Sequence, residues 1–252
     1  MLRALRSVLP AEDFIYLGDT ARLPYGTKSP QSVARYSSQC ADALVDRGIR
    51  YLVVACNTAS ASALSVLRSR HPQIPVVGVI EPGAAAAVAA SRSKHIAVIG
   101  TEGTIGGGAY QAAICRLNSA ARVTSQACSL FVALAEEGWV EGPIARAVAH
   151  RYLAPLFLPS HTARPDTLVL GCTHFPALSH AIHAVLPQGV CMIDSSASVA
   201  AVVAHDFPET VPHRPRGTVK WLATDGAARF ARVSANFLAQ PLRPDEIEII
   251  DL

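Results

Sequence analysis

The sequence predicts an α/β fold, and three observations support this class. Short apolar segments of strand length alternate with longer segments whose apolar residues recur at helical spacing, as in parallel strands joined by crossover helices. Residues that start and end helices separate the two kinds of segment, for example Ser29-Pro30 and Gly48. Half of the 252 residues are hydrophobic and the net charge is only +3. The chain can therefore bury a substantial core, and general disorder is excluded.

The elements follow one another in a regular order. Ser29 is suited to cap a helix and Pro30 to occupy its first position, while Gly48 is suited to end that helix. A second helix is predicted over residues 60–70. The predicted strands are residues 13–17, 51–55, 76–80, 96–99, 168–170 and 190–193.

Composition also limits the partners and the compartment. The 22 Lys and Arg residues are scattered and aromatic residues make up only 6%, so no nucleic-acid partner is expected. No segment approaches the ~20 apolar residues of a spanning helix, so no membrane partner is expected. The six cysteines form no C-x-x-C pair and no secretory signal precedes them. We therefore expect free thiols in a cytoplasmic protein.

Two segments of the chain share one pattern. Residues 51–58 and 167–174 each contain an apolar strand, one small residue, a cysteine and two residues suited to cap a helix. Cys56 and Cys172 should therefore lie at the carboxyl ends of buried parallel strands, where α/β proteins place their ligand sites. Each should also lie at a helix N-terminus, which favours a thiolate.

Several interpretations of these two cysteines are open on the residues alone. Burial in the core is the commonest fate of a free cysteine. A zinc site is less favoured, because structural sites usually bring their ligands in close pairs. A cysteine hydrolase or transferase would use Cys172 with His174 as a base and leave Cys56 idle. Two thiols on opposite faces of a substrate carbon would instead racemise or epimerise it without a cofactor. The absence of a Gly-rich dinucleotide fingerprint or a metal motif is compatible with that last chemistry.

Several longer motifs closely resemble those of the glutamate racemases, in the aspartate/glutamate racemase family. In chain order they are residues 18–26, 54–60, 78–82, 100–105, 130–138 and 171–176. Their order and spacing agree with the family, and the resemblance extends to about Val202. It implies cofactor-independent interconversion of L- and D-glutamate, supplying D-glutamate for peptidoglycan synthesis. A related amino-acid or hydantoin racemase and an inactive, truncated binding remnant are the alternatives.

The resemblance also implies residue roles. Cys56 and Cys172 match the two catalytic bases, the first acting on D-glutamate and the second on L-glutamate. Glu136 and His174 match polar groups that assist the thiols. Positions that hold the substrate match Tyr25, Gly26, Asn57, Thr58, Thr173 and His174. No metal and no cofactor are implied; glutamate is the small-molecule partner, and a homodimer is a possible assembly. Asp19 and Arg22 are at least as well explained by ordering a loop as by touching substrate.

The two similar lobes are predicted to hold the active site between them. The first lobe is discontinuous, with residues 1–79 plus 194–252, and the second covers residues 80–193. Family members carry a strand and an Asp-Ser-Gly-Val-Gly-Gly loop before the segment that matches residues 1–5, and the 252 residues do not contain it. We therefore expect an exposed strand edge in the first lobe, fraying or altered packing of residues 2–9, and impaired activity unless the natural start lies upstream.

Overall fold

The computed structural model describes residues 1–158, 164–207, 216–238 and 241–252. Helices and strands alternate along the chain, which confirms the α/β class. The strands are β1 (Phe14–Gly18), β2 (Leu52–Val54), β3 (Val76–Gly78), β4 (His95–Gly100), β5 (Arg122–Ala127), β6 (Thr167–Gly171), β7 (Cys191–Ile193), β8 (Val219–Ala223) and β9 (Ile247–Ile249). The helices are α1 (Leu2–Val8), α2 (Pro30–Val45), α3 (Asn57–Arg70), α4 (Ile80–Ala90), α5 (Glu102–Gly106), α6 (Ala109–Leu117), α7 (Leu130–Glu137), α8 (Gly142–Leu153), α9 (Ser179–His183), α10 (Ser195–Asp206) and α11 (Ala227–Ser234).

The strands of the described residues form three groups, and every pairing within them is parallel. The largest is a four-stranded sheet of order β5-β4-β6-β7. In it Gly100 pairs with Gly171, so β4 and β6 end at the same edge. The other groups are a three-stranded sheet, β1-β8-β9, and a two-stranded sheet, β2-β3. The exact bounds of the two lobes stay a prediction.

The strands β1 and β2 each have one edge without a strand partner in the described parts of the chain. Their side chains are half-buried, except that Leu52 is buried and Tyr16 is exposed, whereas β4 and β6 are buried throughout. The expected exposed edge is therefore present. Fraying of residues 2–9 is not present, because α1 is a formed helix that buries Leu2 and Leu5. The alternative, packing that differs from that in the family, stays a prediction.

Local sequence signals explain where several elements begin and end. The Ser29 side chain accepts a hydrogen bond from the Ser32 N–H and caps α2, with Pro30 at the first position. Gly48 follows that helix with a φ of 76°, in the left-handed region that glycine tolerates best. Helix α3 begins three residues earlier than predicted, at Asn57. The predicted strand 76–80 is shorter, since α4 already begins at Ile80.

One apolar cluster joins the sheets. It includes Val77 from β3, Ile96 and Val169 from the four-stranded sheet, and Val199 from α10. Burying these side chains together removes apolar surface from water and holds the strand ends in one region. A second cluster around Phe131 and Phe175 fills the other face of the four-stranded sheet. Within the described residues, no helix is long and apolar enough to cross a membrane.

Candidate active site

The two cysteines of the repeated pattern lie at the ends of parallel strands. Cys56 follows β2 and occupies the N-cap of α3. Cys172 directly follows β6 and is 7% exposed. The Tyr110 side chain connects the two regions. Its hydroxyl donates to Oδ1 of Asn57, the residue after Cys56, and its ring lies against Gly171, the residue before Cys172. The structure therefore brings the predicted pair together.

Burial controls the acidity of both thiols. Desolvation raises the pKa of Cys56, although N–H groups of Ala59 and Thr58 and the Thr58 hydroxyl counteract it. Desolvation also raises the pKa of Cys172 to about 12, against the N–H groups of His174 and Phe175. We expected helix N-termini to lower these pKa values, but the effect of burial is larger than that of the backbone N–H groups. The expectation is also wrong in detail at Cys172, which precedes a turn and the 3-10 helix Phe175–Leu178.

A chain of polar contacts extends from Cys172 to the surface. The Cys172 Sγ lies 3.8 Å from Nδ1 of His174, and Nε2 of His174 lies 3.4 Å from Oε1 of Glu136. The Arg229 guanidinium contacts the other oxygen of Glu136 at 2.6 Å. The hydrogen bond from His174 lowers the pKa of Glu136 against the effect of desolvation, and the charges of His174 and Arg229 lower it further. Glu136 is therefore ionised, and its two carboxylate oxygens contact His174 and Arg229.

The segment after α11 packs on the same group. The ring of Phe237 meets the His174 imidazole edge-to-face, with centroids 5.4 Å apart. The Asn236 side chain donates a hydrogen bond of 3.0 Å to the carbonyl of Ala135, the residue before Glu136. Sequence reasoning identified Glu136 and His174 but not Arg229, Asn236 or Phe237. No local pattern marks these residues, because their contacts join positions far apart in the chain.

The residues after Cys56 are held by buried hydroxyl groups. The Tyr110 hydroxyl donates to Oδ1 of Asn57 at 2.8 Å. The Thr58 hydroxyl lies 2.9 Å from that of Thr101 and 3.1 Å from that of Thr104, and the latter two are 3.1 Å apart. Thr101 and Thr104 belong to a family-like segment, 100–105, to which sequence reasoning gave no role. Nothing in the sequence marked Tyr110.

The loop before α2 is ordered around Asp19. Its carboxylate accepts hydrogen bonds from Nε of Arg22 at 2.8 Å and from the Thr224 hydroxyl at 2.9 Å, and also from the Tyr25 hydroxyl. Desolvation and that contact raise the pKa of Tyr25, so the phenol stays protonated. These bonds occupy Asp19 and Arg22 within the loop, which favours the loop-ordering role.

The remaining predicted positions, Gly26 and Thr173, differ in exposure. Gly26 is buried. A Cβ there would lie 2.5 Å from Cβ of Thr101, so the backbone of this loop lies directly against the Thr101 side chain. Thr173 is exposed beside Cys172. In the portions of the chain that are described, no group of three or more His, Cys, Asp or Glu side chains is arranged to bind a metal.

Comparisons with known proteins identify the family of the chain. A family model described as Asp/Glu/Hydantoin racemase matches residues 1–203. The glutamate racemase of Geobacter metallireducens is 48% identical over 245 residues, covering 96% of this chain and 89% of the relative. That of Aquifex aeolicus is 44% identical over 244 residues, covering 97% and 91%. The solved structure of Francisella tularensis glutamate racemase in complex with D-glutamate has a TM-score of 0.87 and 33% identity, covering 99% of this chain and 92% of that chain. By sequence and by fold, the chain belongs to the Asp/Glu/hydantoin racemase family of amino-acid isomerases.

Proposed function

We propose that the protein interconverts L- and D-glutamate without a cofactor, using Cys56 and Cys172 as the two acid/base groups. The observation that carries the proposal is the convergence of two cysteines that each follow a parallel strand. Cys172 is buried and Cys56 half-buried, and the Tyr110 side chain contacts a direct neighbour of each. The relatives named glutamate racemases and the relative solved with D-glutamate support glutamate as the substrate. The product would supply peptidoglycan synthesis in the cytoplasm; that role, and a possible homodimer, stay predictions.

The proton balance of the reaction requires one thiolate and one thiol. A thiolate on one face of the α-carbon removes the α-proton, and the thiol on the other face delivers its proton to the resulting carbanion. The configuration inverts, and the two cysteines exchange protonation states. We assign Cys56 to the proton of D-glutamate and Cys172 to that of L-glutamate. Because the charge of Cys56 disfavours ionisation of Cys172, the state with a single thiolate is favoured over one with two.

Ionising a buried thiol is the costly part of this scheme, and His174 is positioned to help at Cys172. Oε1 of Glu136 lies 3.4 Å from Nε2 of His174. The tautomer with its proton on Nε2 donates it to Glu136 and leaves Nδ1 free to take the thiol proton. The Nδ1 to Sγ distance of 3.8 Å is within sulfur hydrogen-bond range. At Cys56 the N–H groups of Thr58 and Ala59 at the start of α3 perform the corresponding stabilisation.

The carbanion must also be stabilised, because the α-proton of an amino acid is very weakly acidic. We propose that the charge passes into the α-carboxylate and is met there by donors of Asn57, Thr58 and Thr173. Donors fixed before the reaction do not have to reorganise as charge develops. The hydrogen bonds that hold Asn57 and Thr58 provide this kind of preorganisation.

Turnover is tested by following circular dichroism of each glutamate enantiomer to the racemate, with proton NMR in D₂O to detect exchange at the α-carbon. We expect racemisation of both enantiomers, unchanged after dialysis against a chelator or treatment with a carbonyl reagent. Aspartate and 5-substituted hydantoins are offered in parallel. If either compound is turned over faster than glutamate, that compound and not glutamate is the substrate. Saturable glutamate binding with neither racemisation nor exchange would favour the inactive binding remnant.

A further inference from the structure

Tyr110 on α6 reaches residues beside both proposed catalytic thiols. Its hydroxyl donates to Oδ1 of Asn57 at 2.8 Å, and Asn57 directly follows Cys56. Its ring lies against Gly171, where a Cβ would come within 3.2 Å of the ring carbon Cε2, and Gly171 directly precedes Cys172. One rigid side chain therefore spans the distance between the two thiol-bearing strand ends.

The hydrogen bonds at the Tyr110 hydroxyl have a defined direction. The single phenolic proton goes to the carbonyl oxygen of Asn57, which only accepts. The Ser195 hydroxyl, 3.2 Å from the same phenolic oxygen, must then be the donor in that contact. With its Oδ1 occupied, the Asn57 side chain has its amide hydrogens left to donate. The three residues are 1%, 4% and 4% exposed, for Tyr110, Ser195 and Asn57.

The surroundings leave this arrangement little freedom. A Cβ on Gly83 would approach the Ser195 hydroxyl to 2.8 Å and the Tyr110 hydroxyl to 3.2 Å, so α4 packs closely against both groups. Desolvation raises the pKa of Tyr110, and the phenol remains a neutral donor across the working pH range. Groups locked by packing and by hydrogen bonds of this kind are what hold binding residues in a productive geometry.

We propose that Tyr110 is a positioning residue for racemisation, which orients the Asn57 amide so that its N–H groups face the substrate and which sets the spacing of the two thiols. This rests on the proposed function. Tyr110 touches neither the substrate nor the reacting protons, and it acts through Asn57. Removing its hydroxyl leaves the ring spacer in place but frees the Asn57 amide to rotate.

The test is Tyr110→Phe, with Tyr51→Phe as the matched control. Tyr51 also donates a good hydrogen bond, 2.7 Å to Asp206, but at the opposite end of β2 from Cys56. We expect Tyr110→Phe to raise the KM for both glutamate enantiomers about tenfold. This is the expected effect of losing one hydrogen bond from the Asn57 amide to the charged substrate. Tyr51→Phe should leave KM unchanged. Unchanged KM in Tyr110→Phe would overturn the inference.

A double-mutant cycle separates positioning from general stability. If Tyr110 acts through Asn57, Tyr110→Phe should have no further effect on kcat/KM in an Asn57→Ala background. Equal losses in both backgrounds would mean a merely structural role and overturn the inference. If Tyr110→Phe does not fold, Ser195→Ala removes the donor that fixes the phenol, and it should raise KM about two- to threefold; an unchanged KM there would again overturn the inference.

A readout without turnover distinguishes this inference from the proposed function. D-glutamate should protect Cys56 and Cys172 from alkylation by iodoacetamide, measured by mass spectrometry. The half-protecting concentration should rise about tenfold in Tyr110→Phe and not in Tyr51→Phe. If the wild type were protected but did not racemise glutamate, the proposed function would fail, while the shift in protection would still support Tyr110 as the residue that orients Asn57.

Discussion

The contact between Gly26 and Thr101 allows a quantitative prediction for Gly26→Ala. A Cβ at Gly26 would lie 2.5 Å from Cβ of Thr101 and 2.8 Å from both Cγ2 and Oγ1. Ordinary contacts of this kind are 3.4–4 Å, so the loop or α5 must retreat by about 1 Å. Overpacking of this kind costs about 1–3 kcal/mol, partly offset by the ~0.4–1 kcal/mol that alanine gains over glycine in the unfolded chain. We expect a net loss of about 1–2 kcal/mol in the free energy of unfolding.

The same displacement should reduce activity more than stability. Thr101 is hydrogen-bonded to Thr58, and Thr58 in turn stabilises the Cys56 thiolate. A misplacement of about 1 Å near reacting groups can lower the rate by roughly 10²-fold. We therefore expect kcat/KM to fall between about tenfold and a hundredfold.

The matched control is Gly106→Ala. Gly106 is the last residue of α5, the helix that carries Thr104, and a Cβ there would meet nothing within 4 Å. The same substitution should be neutral or slightly stabilising at this site. Urea unfolding and the circular-dichroism racemisation assay measure the two effects. If Gly26→Ala matches the wild type in both, the loop does not bear on Thr101 and the argument fails.

Three further predictions follow from the site. Cys56→Ala and Cys172→Ala should each abolish racemisation of both enantiomers with folding retained by circular dichroism, because each direction needs one acid and one base. Since burial raises the pKa of Cys172 to about 12, the folded state keeps a proton that the unfolded thiol loses near pH 9. Stability should fall as pH rises, by about 1 kcal/mol between pH 9 and pH 10 from this group, and urea unfolding of Cys172→Ala should show a flatter profile. Arg229→Met should lower kcat about three- to tenfold and shift its pH profile, because the Glu136 carboxylate loses a 2.6 Å partner. Arg232→Met, at an exposed position of the same helix, serves as control.

Each of these has a contrary result. Near wild-type turnover in either cysteine variant would exclude the two-thiol mechanism, and lowered stability with unchanged turnover would favour core cysteines. Identical pH–stability profiles would mean that the Cys172 thiol is not desolvated in the folded protein. Equal rates and pH profiles for Arg229→Met and Arg232→Met would show that the ion pair to Glu136 does not reach His174.

Local sequence was sufficient for six of the nine described strands and for the position of the two thiols, whereas β5, β8 and β9 were not predicted. Strands are short apolar runs, and caps such as Ser29 act on their own backbone neighbours, so adjacent residues contain the information. α/β proteins place ligand sites at the carboxyl ends of parallel strands. This is why Cys56 and Cys172 could be predicted to share a site, although their strands lie in different sheets. Desolvation of those thiols was not predictable, because the pKa depends on everything packed around the sulfur and not on the helix terminus alone.

The tertiary structure alone decided which partners complete the site. Tyr110 meets Asn57 across 53 positions and Arg229 meets Glu136 across 93, and neither pair has a periodicity or spacing that marks it in the sequence. The turn after Cys172 was also a tertiary result, since its residues suit a helix cap but the chain there packs as a 3-10 helix. The sequence by itself determined six of the nine described strands, the start of α2 and the chemical groups at the strand ends. Their separation, protonation and hydrogen-bond partners depend on contacts between distant segments, which only the packed chain brings together.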